Sequence, residues 1–274
     1  MKKILGAIAA LAMTVGLAAC GTPVSQGTTN PNQLVVGMEA GYPPFNWTQN
    51  DDSNGAVKIQ GTDQYAGGYD VEIAKRVAEK LGKELVIVKT EWDGLTPALV
   101  SGKIDAIIAG MSPTEERKAT IDFTDSYYDS QLVLVVKKGS KYENATSLSD
   151  FSGAKVTAQL NTFHYTVIDQ IPGVDKQAAM DNFPAMRVAL QAGTIDAYVS
   201  ELPEALSAQA ANSDFVMVKL TDGFQTSPED TQTAVGVRKD STLTNEINEA
   251  LKTISNEERL QIMQDAIKNQ PAAE

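Results

Sequence analysis

Four residues near the middle of the chain have the types and spacing needed to hold an anion. Ser112, Pro113 and Glu115 predict a helix start, with serine at the N-cap, proline at the first helical position and glutamate at the third. The first N–H groups of a helix carry the positive end of its dipole, and Arg117 can add a bidentate guanidinium. The segment predicts a carboxylate-binding site. The alternative is an ordinary capped helix with an arginine at the surface.

The chain offers little catalytic chemistry. It has one histidine, His164, and one cysteine, Cys20, and it lacks a serine-hydrolase elbow, a zinc-binding histidine pair and a phosphate loop. We therefore predict no catalytic residue, no metal site and no cofactor. His164 lies beside other candidate binding residues and could touch a ligand, but a surface position is favoured. A net charge of −12 argues against a nucleic-acid-binding protein.

Apolar strand-like runs alternate with amphipathic helices after residue 33, which predicts an α/β fold with mostly parallel sheet. One helix is expected from Val71 to Leu81, with Asp70 as its N-cap. Residues 46–66 are polar and rich in turn formers, so they predict a long surface excursion. The other predicted elements are strands at 34–38, 85–88 and 233–239 and helices at 243–254 and 256–268.

An internal repeat divides the chain into two halves. The segments are ALVSGKIDAIIAGMSP at 98–113 and ALQAGTIDAYVSELPE at 189–204, and six of their first nine positions are identical. Each copy predicts a helix, a glycine turn and a strand, and open α/β sheets bind ligands where strands end. We therefore infer two similar lobes whose corresponding edges face each other across a cleft.

The N-terminus predicts export and lipid attachment. Lys2 and Lys3 precede an apolar run, and the sequence LAAC ends at Cys20, as in the lipobox of bacterial lipoproteins. We expect a lipoprotein signal peptide at residues 1–19, a lipid on Cys20 and a flexible linker at 20–32. The folded part would then be extracytoplasmic and anchored to the bacterial cell membrane.

Five motifs in order give the chain a family resemblance. They are GYPPFNW, GGYDVEIAKRVAEKLG, WDGLTPALVSGKIDAIIAGMSPTEERKATIDFTDSYY, GAKVTAQLNTFHY and ALQAGTIDAYVSELPEA. Together they resemble the extracytoplasmic solute-binding proteins of polar amino-acid ABC transporters, bacterial solute-binding protein family 3. The resemblance covers nearly all of residues 33–270 and implies the two-lobed periplasmic-binding-protein type II fold, with helices flanking each sheet and a ligand cleft between the lobes.

The resemblance assigns the two ends of an amino acid to opposite lobes. Arg117 would bind the α-carboxylate, helped by Ser112 and by backbone N–H groups around Thr162 and Phe163. The Gly110 carbonyl and the Glu201 carboxylate would receive the α-ammonium. Many relatives have a glycine-rich turn where this chain has 161–163, and aspartate where it has Glu201, so this acid reaches one methylene further into the pocket.

The resemblance also places Tyr42 and Trp92 beside the ligand side chain and Glu39 near its far end. From sequence alone the two aromatic residues could equally belong to the core, and Glu39 could be a solvated loop residue. Together they favour a cationic side chain, because a guanidinium stacks on aromatic rings and pairs with a carboxylate. Arginine leads, followed by lysine and histidine; glutamine is the main alternative, and glutamate is disfavoured by repulsion.

The resemblance implies two lobes, each made of a defined part of the chain, and three partners. Lobe 1 would comprise residues 33–128 and 232–270, and lobe 2 residues 132–228, with hinge crossings near 126–132 and 226–234. The partners would be a small amino acid, an ABC transporter permease and the membrane, reached through the lipid, and the protein would be a monomer. A dehydratase-type enzyme on the same fold is the less favoured alternative.

Overall fold

The computed structural model describes residues 30–271. The predicted signal peptide, the lipid site at Cys20 and most of the predicted linker lie outside the described residues. The strands are β1 Gln33–Met38, β2 Gly41–Tyr42, β3 Asn46–Gln49, β4 Val57–Lys58, β5 Tyr65–Gly67, β6 Glu84–Lys89, β7 Ala106–Ile107, β8 Asp122–Asp129, β9 Leu132–Lys137, β10 Lys155–Thr157, β11 Asp175–Lys176, β12 Ala197–Glu201, β13 Phe215–Val218 and β14 Gln232–Val237. The helices are α1 Tyr69–Lys80, α2 Trp92–Val100, α3 Glu115–Lys118, α4 Phe163–Val167, α5 Phe183–Ala192, α6 Leu202–Ala211, α7 Leu243–Leu251 and α8 Asn256–Asn269. No helix within these residues is long and apolar enough to cross a membrane.

Two five-stranded sheets with matching topology form the centres of two lobes. The first has the order β6-β1-β7-β14-β8 and the second the order β11-β10-β12-β9-β13. In each sheet the first three strands are parallel, and the last two add antiparallel pairings. The sheets are thus mixed rather than mostly parallel, because β9 and β14 enter their sheets directly after the chain crosses from the other lobe. The crossings lie between β8 and β9 and between β13 and β14.

The internal repeat corresponds to equivalent units in the two lobes. The first copy is α2, a turn at Gly102 and β7, and the second is α5, a turn at Gly193 and β12; both glycines have positive φ. The repeated aspartate after each turn bonds the neighbouring parallel strand. Asp105 Oδ2 accepts from the N–H of Val35, and Asp196 Oδ2 accepts from the N–H of Lys155. The repeat therefore encodes the same junction between strands in both lobes.

Two local predictions for residues 46–81 are wrong. Residues 46–66 do not form one surface excursion, because their ends are β3 and β5, which pair in the antiparallel sheet β2-β3-β5-β4 and bury Trp47 and Ala66. Asp70 is not the N-cap of its helix, since α1 begins at Tyr69. Its side chain is buried and accepts hydrogen bonds from Asn46 and Tyr127.

The lobes pack against each other at the strand ends. One apolar cluster includes most of lobe 1 and continues into α5, α6 and one face of the second sheet, and a second cluster covers the other face of that sheet. Within the first cluster the rings of Tyr42 and Phe183 stack across the lobes, with centroids 4.5 Å apart. The predicted facing edges are therefore in contact, and the candidate site lies where they meet.

Candidate functional site

A narrow cavity of about 10 Å³ lies between the lobes, so the site is almost filled by its own side chains. It is lined by Tyr42, Trp92, Gly110, Ser112, Arg117, Gln159, Thr162, Phe163, His164 and Phe183. Seven of the nine predicted ligand-binding residues are in this lining. The other two, Glu39 and Glu201, are buried behind it, and each contacts a lining residue of lobe 2.

Arg117 is held at the boundary of the two lobes. Its Nη1 donates to the Ser112 carbonyl at 2.9 Å, and its Nη2 donates to the Asn161 carbonyl of lobe 2 at 3.2 Å. The guanidinium lies over the ring of Trp92, 5.0 Å from the centroid. Burial lowers the pKa of Arg117 to about 10, so the side chain is still charged at neutral pH. These contacts fix a cation at the cavity, where it can bind a carboxylate.

The helix start predicted at Ser112 is displaced. Helix α3 has four residues and begins at Glu115, with Thr114 as its N-cap, so the predicted capping box does not form. The Ser112 hydroxyl instead donates to the Asp230 carbonyl at 2.8 Å, and the Met111 carbonyl accepts from the N–H of Ala234 at 3.0 Å. These bonds hold the segment extended beside the returning chain. A single helical turn has a small dipole, so the positive charge of the site comes mainly from the guanidinium.

Lobe 2 presents an acid at the end of β12. Glu201 is 1% exposed, and its Oε1 lies 3.3 Å from His164 Nε2. No hydrogen bond reaches Glu201 Oε2 or either ring nitrogen of His164 within the described residues. The predicted surface position of His164 is wrong, because α4 turns the imidazole inward against the rings of Phe163 and Phe183. An acid and an imidazole thus share a buried position on the lobe opposite Arg117.

The two predicted aromatic residues already have ring partners. Tyr42 is sandwiched between Phe45, with centroids 4.8 Å apart, and Phe183 at 4.5 Å. Trp92 begins α2, and its ring lies under the guanidinium of Arg117. Its Nε1 donates to the Asn161 carbonyl at 3.4 Å. Both residues line the cavity. In this closed arrangement of the lobes the faces of Tyr42 are covered, so a stacked ligand would have to separate it from Phe183.

Glu39 follows β1 and lies on the lobe 1 side of the cavity. It is 5% exposed and accepts a hydrogen bond from Gln159 Nε2 at 3.2 Å across the cleft. Gln159 also donates to the Asp181 carbonyl at 3.0 Å. Burial raises the pKa of Glu39 to about 7, and the bond from Gln159 opposes that rise. A cationic group placed here would favour the ionised carboxylate.

A chain of two buried hydrogen bonds holds the backbone at Gly110. The Gly110 N–H donates to the Tyr127 hydroxyl at 3.2 Å, and that hydroxyl donates to Asp70 Oδ1 at 2.7 Å. Gly110 has a φ of +61°, and a Cβ there would lie 2.7 Å from Tyr42 Cε1. Only glycine therefore fits at position 110 without moving the ring of Tyr42. At the other end of these hydrogen bonds, burial raises the pKa of Asp70 to about 6.

The segment 161–163 closes the cavity from lobe 2. Asn161 has a φ of +55°, a conformation that asparagine tolerates better than most residues, so it replaces the glycine of the family pattern. Its carbonyl accepts from Arg117 and its side chain donates to Asp93 at 2.8 Å. Thr162 is the N-cap residue of α4, and its hydroxyl donates to the Gln159 carbonyl. The segment binds lobe 1 through the carbonyl and the side chain of Asn161 and leaves Thr162 and Phe163 against the cavity.

Three lining residues were not among the predicted ligand contacts: Gln159, His164 and Phe183. Gln159 was detectable, because it follows β10 at the edge where the other strands end. Phe183 was not detectable, because it begins a helix whose apolar residues Phe183, Met186 and Leu190 have the spacing of an ordinary core face. Among residues 30–271 no group of three or more His, Cys, Asp or Glu side chains could hold a metal ion.

Comparisons with known proteins show a family match and related sequences. The family model of bacterial extracellular solute-binding proteins, family 3, matches residues 34–267. The chain is 30% identical over 268 residues to the arginine-binding extracellular protein ArtP of Bacillus subtilis (strain 168), which covers 95% of this chain and 96% of that protein. It is 33% identical over 229 residues to a probable histidine-binding protein of Campylobacter jejuni, covering 81% and 83% of the two chains.

A solved structure is similar over most of the fold. It is the amino acid ABC transporter substrate-binding protein AbpA from Streptococcus pneumoniae Canada MDR_19A bound to L-arginine, with a TM-score of 0.73 and 27% identity. The similarity covers 86% of this chain and 95% of that one. The two-lobed α/β architecture expected from the sequence is thereby confirmed.

Proposed function

The chain belongs to the bacterial extracellular solute-binding proteins of family 3, and from that premise we propose that it captures an L-amino acid between its lobes and delivers it to an ABC transporter permease. The family and the similar structures are transport receptors, so the proposed activity is binding without turnover. A dehydratase-type reaction has no specific support from the site.

One observation carries the proposal: opposite charges are held on opposite lobes of one cavity. Arg117 and Ser112 belong to the part of lobe 1 that would receive the α-carboxylate, and Thr162 and Phe163, whose N–H groups would assist, line the same cavity from lobe 2. Glu201, whose Oε2 has no hydrogen-bond partner within residues 30–271, and the Gly110 carbonyl would receive the α-ammonium. A zwitterion satisfies both ends at once, and charge-assisted bonds of this kind contribute about 1.5–3 kcal/mol each.

The side-chain end of the site supports a polar, cationic ligand. Glu39 is buried and accepts a hydrogen bond from the Gln159 amide, so a guanidinium or ammonium would offset the cost of its ionisation. Arginine is the proposed ligand, ahead of lysine and histidine. Glutamine is the alternative, because Glu39 and Gln159 together offer an acceptor and an amide to a ligand amide.

The remaining proposals concern organisation outside the cavity. We propose a lipid on Cys20 after removal of residues 1–19, a linker at 20–32, and a monomeric receptor whose lobes are residues 33–128 with 232–270, and 132–228. Hinge motion would occur near 126–132 and 226–234. Membrane fractionation of wild type and Cys20→Ala, each expressed with the native leader, tests the anchor: only the wild type should sediment with membranes.

Calorimetric titration of a chain starting at residue 21 with each of the twenty amino acids tests the main proposal. We expect saturable binding of L-arginine at micromolar or tighter dissociation constants, and weaker binding of lysine, histidine and glutamine. Absence of heat and of any thermal shift with all twenty would refute amino-acid capture. Tightest binding of glutamine would refute only the cationic preference.

A further inference from the structure

The buried imidazole on lobe 2 is the feature that amino-acid capture alone does not explain. His164 is the only histidine of the chain, it lines the cavity, and it is 6% exposed. Neither ring nitrogen has a hydrogen-bond partner among the described residues, although Nε2 lies 3.3 Å from Glu201 Oε1. Polar atoms buried in this way are costly unless something binds them, so the group is suited to a partner that enters from the cavity.

Two more buried polar atoms at this end of the cleft have no hydrogen-bond partner in the described part of the chain. They are Glu201 Oε2 on lobe 2 and the Tyr42 hydroxyl on lobe 1. Tyr42 and His164 line the same cavity, and His164 contacts Glu201. The three side chains therefore border the part of the cleft where the ligand's ammonium is proposed to bind.

We propose that His164 and the ammonium of the ligand compete for Glu201, so that a protonated imidazole and a bound amino acid exclude each other. The proposal rests on the proposed function, because Glu201 must be the ammonium acceptor. A protonated imidazole at 3.3 Å supplies Glu201 with the positive charge that the ligand would otherwise bring. When the ligand binds, the imidazolium loses its proton to solvent, and the neutral ring can accept a hydrogen bond from the ammonium.

The other charged groups around this position do not take the same role. Glu204 in α6 is paired with Arg187 of α5 at 2.7 Å, and Asp70 of α1 is bonded by Tyr127 and Asn46. On the lobe 1 side the charged groups are Arg117, which reaches Asn161, and Glu39, which contacts Gln159. Among the ion pairs of residues 30–271, the contact with Glu201 is made by His164.

Glu39 can also exchange a proton when a cationic ligand binds, so the test compares proteins in which Glu39 is unchanged. Wild type and His164→Gln are titrated with L-arginine at pH 5.5, 6.5 and 8, in pairs of buffers with different ionisation enthalpies. The difference between the two proteins in protons released per arginine bound isolates the imidazole. Thr166→Gln, an exposed change on the same helix, is the matched control.

We expect the wild type to release more protons per arginine bound than His164→Gln, and its affinity to fall several-fold further between pH 8 and pH 5.5. Thr166→Gln should behave as wild type. In NMR spectra of a tag-free protein, the imidazole signals of the single histidine should move when arginine is added.

Equal proton release and equal pH slopes in wild type and His164→Gln, with binding retained, would overturn this inference and leave the proposed function intact. If arginine gives no heat, the same comparison is made with L-glutamine. Absence of binding with both would refute the proposed function and this inference together.

Discussion

Replacing Glu39 with glutamine tests how a buried carboxylate is used. The residue is 5% exposed, and burial raises its pKa from 4.5 to about 7. Such a change corresponds to about 3 kcal/mol of folding free energy when the carboxylate is forced to ionise. Because the folded protein holds this proton to higher pH than the unfolded chain, its stability should fall as pH rises from about 4.5 to about 7.

Glu39→Gln should therefore stabilise the ligand-free protein at pH 8 by up to about 3 kcal/mol and leave its stability near pH 4.5 almost unchanged. Denaturant unfolding at the two pH values measures this difference. Glu79→Gln, the same chemical change at an exposed position of α1, is the control and should have little effect at either pH.

The same substitution should have the opposite effect on binding of a cation. Loss of a charge-assisted bond costs about 1.5–3 kcal/mol, which corresponds to an arginine affinity lower by about 10- to 150-fold. Glutamine has no charge to lose, so its affinity should change by about threefold or less. Equal losses for arginine and glutamine, or equal stabilisation at both pH values, would refute the role of Glu39 as a buried partner for a cationic side chain.

Further predictions concern the carboxylate end of the site, the glycine beside it and the contact between lobes. Arg117→Ala should weaken arginine binding by about 100-fold or more in calorimetry, whereas Lys118→Ala in the same helix should not; an unchanged affinity for Arg117→Ala would refute the zwitterion model. Gly110→Ala should lower the unfolding free energy by about 1–3 kcal/mol more than Gly61→Ala, which shares the positive φ but has no atom within 4 Å of the added Cβ; equal costs would mean that backbone strain alone is responsible. Phe183→Leu removes a ring stack with Tyr42 that is worth about 0.5–1.5 kcal/mol and holds the two lobes together. Small-angle X-ray scattering of the ligand-free variant should therefore show a larger radius of gyration. An unchanged radius would mean that this stack does not keep the lobes closed.

Patterns along the chain determined the secondary structure and the repeat. Strands β1, β6 and β14 and helices α7 and α8 lie where apolar periodicity predicts them, because each depends on which of its own residues face a core. The repeated glycine and aspartate identified the same junction in both halves, since a turn and a strand end need particular residue types at fixed spacing.

What only the tertiary structure decided is the environment of each site residue. Ser112 was predicted to cap a helix, but a carbonyl 118 residues further along the chain takes its hydroxyl. His164 was predicted at the surface, but Glu201 and Phe183 enclose it. Tyr42 was expected to offer a ring face to a ligand, but the other lobe covers that face. Each of these outcomes depends on contacts between segments distant in sequence, whose packing and hydrogen bonds outweigh local preferences that are worth about 1 kcal/mol.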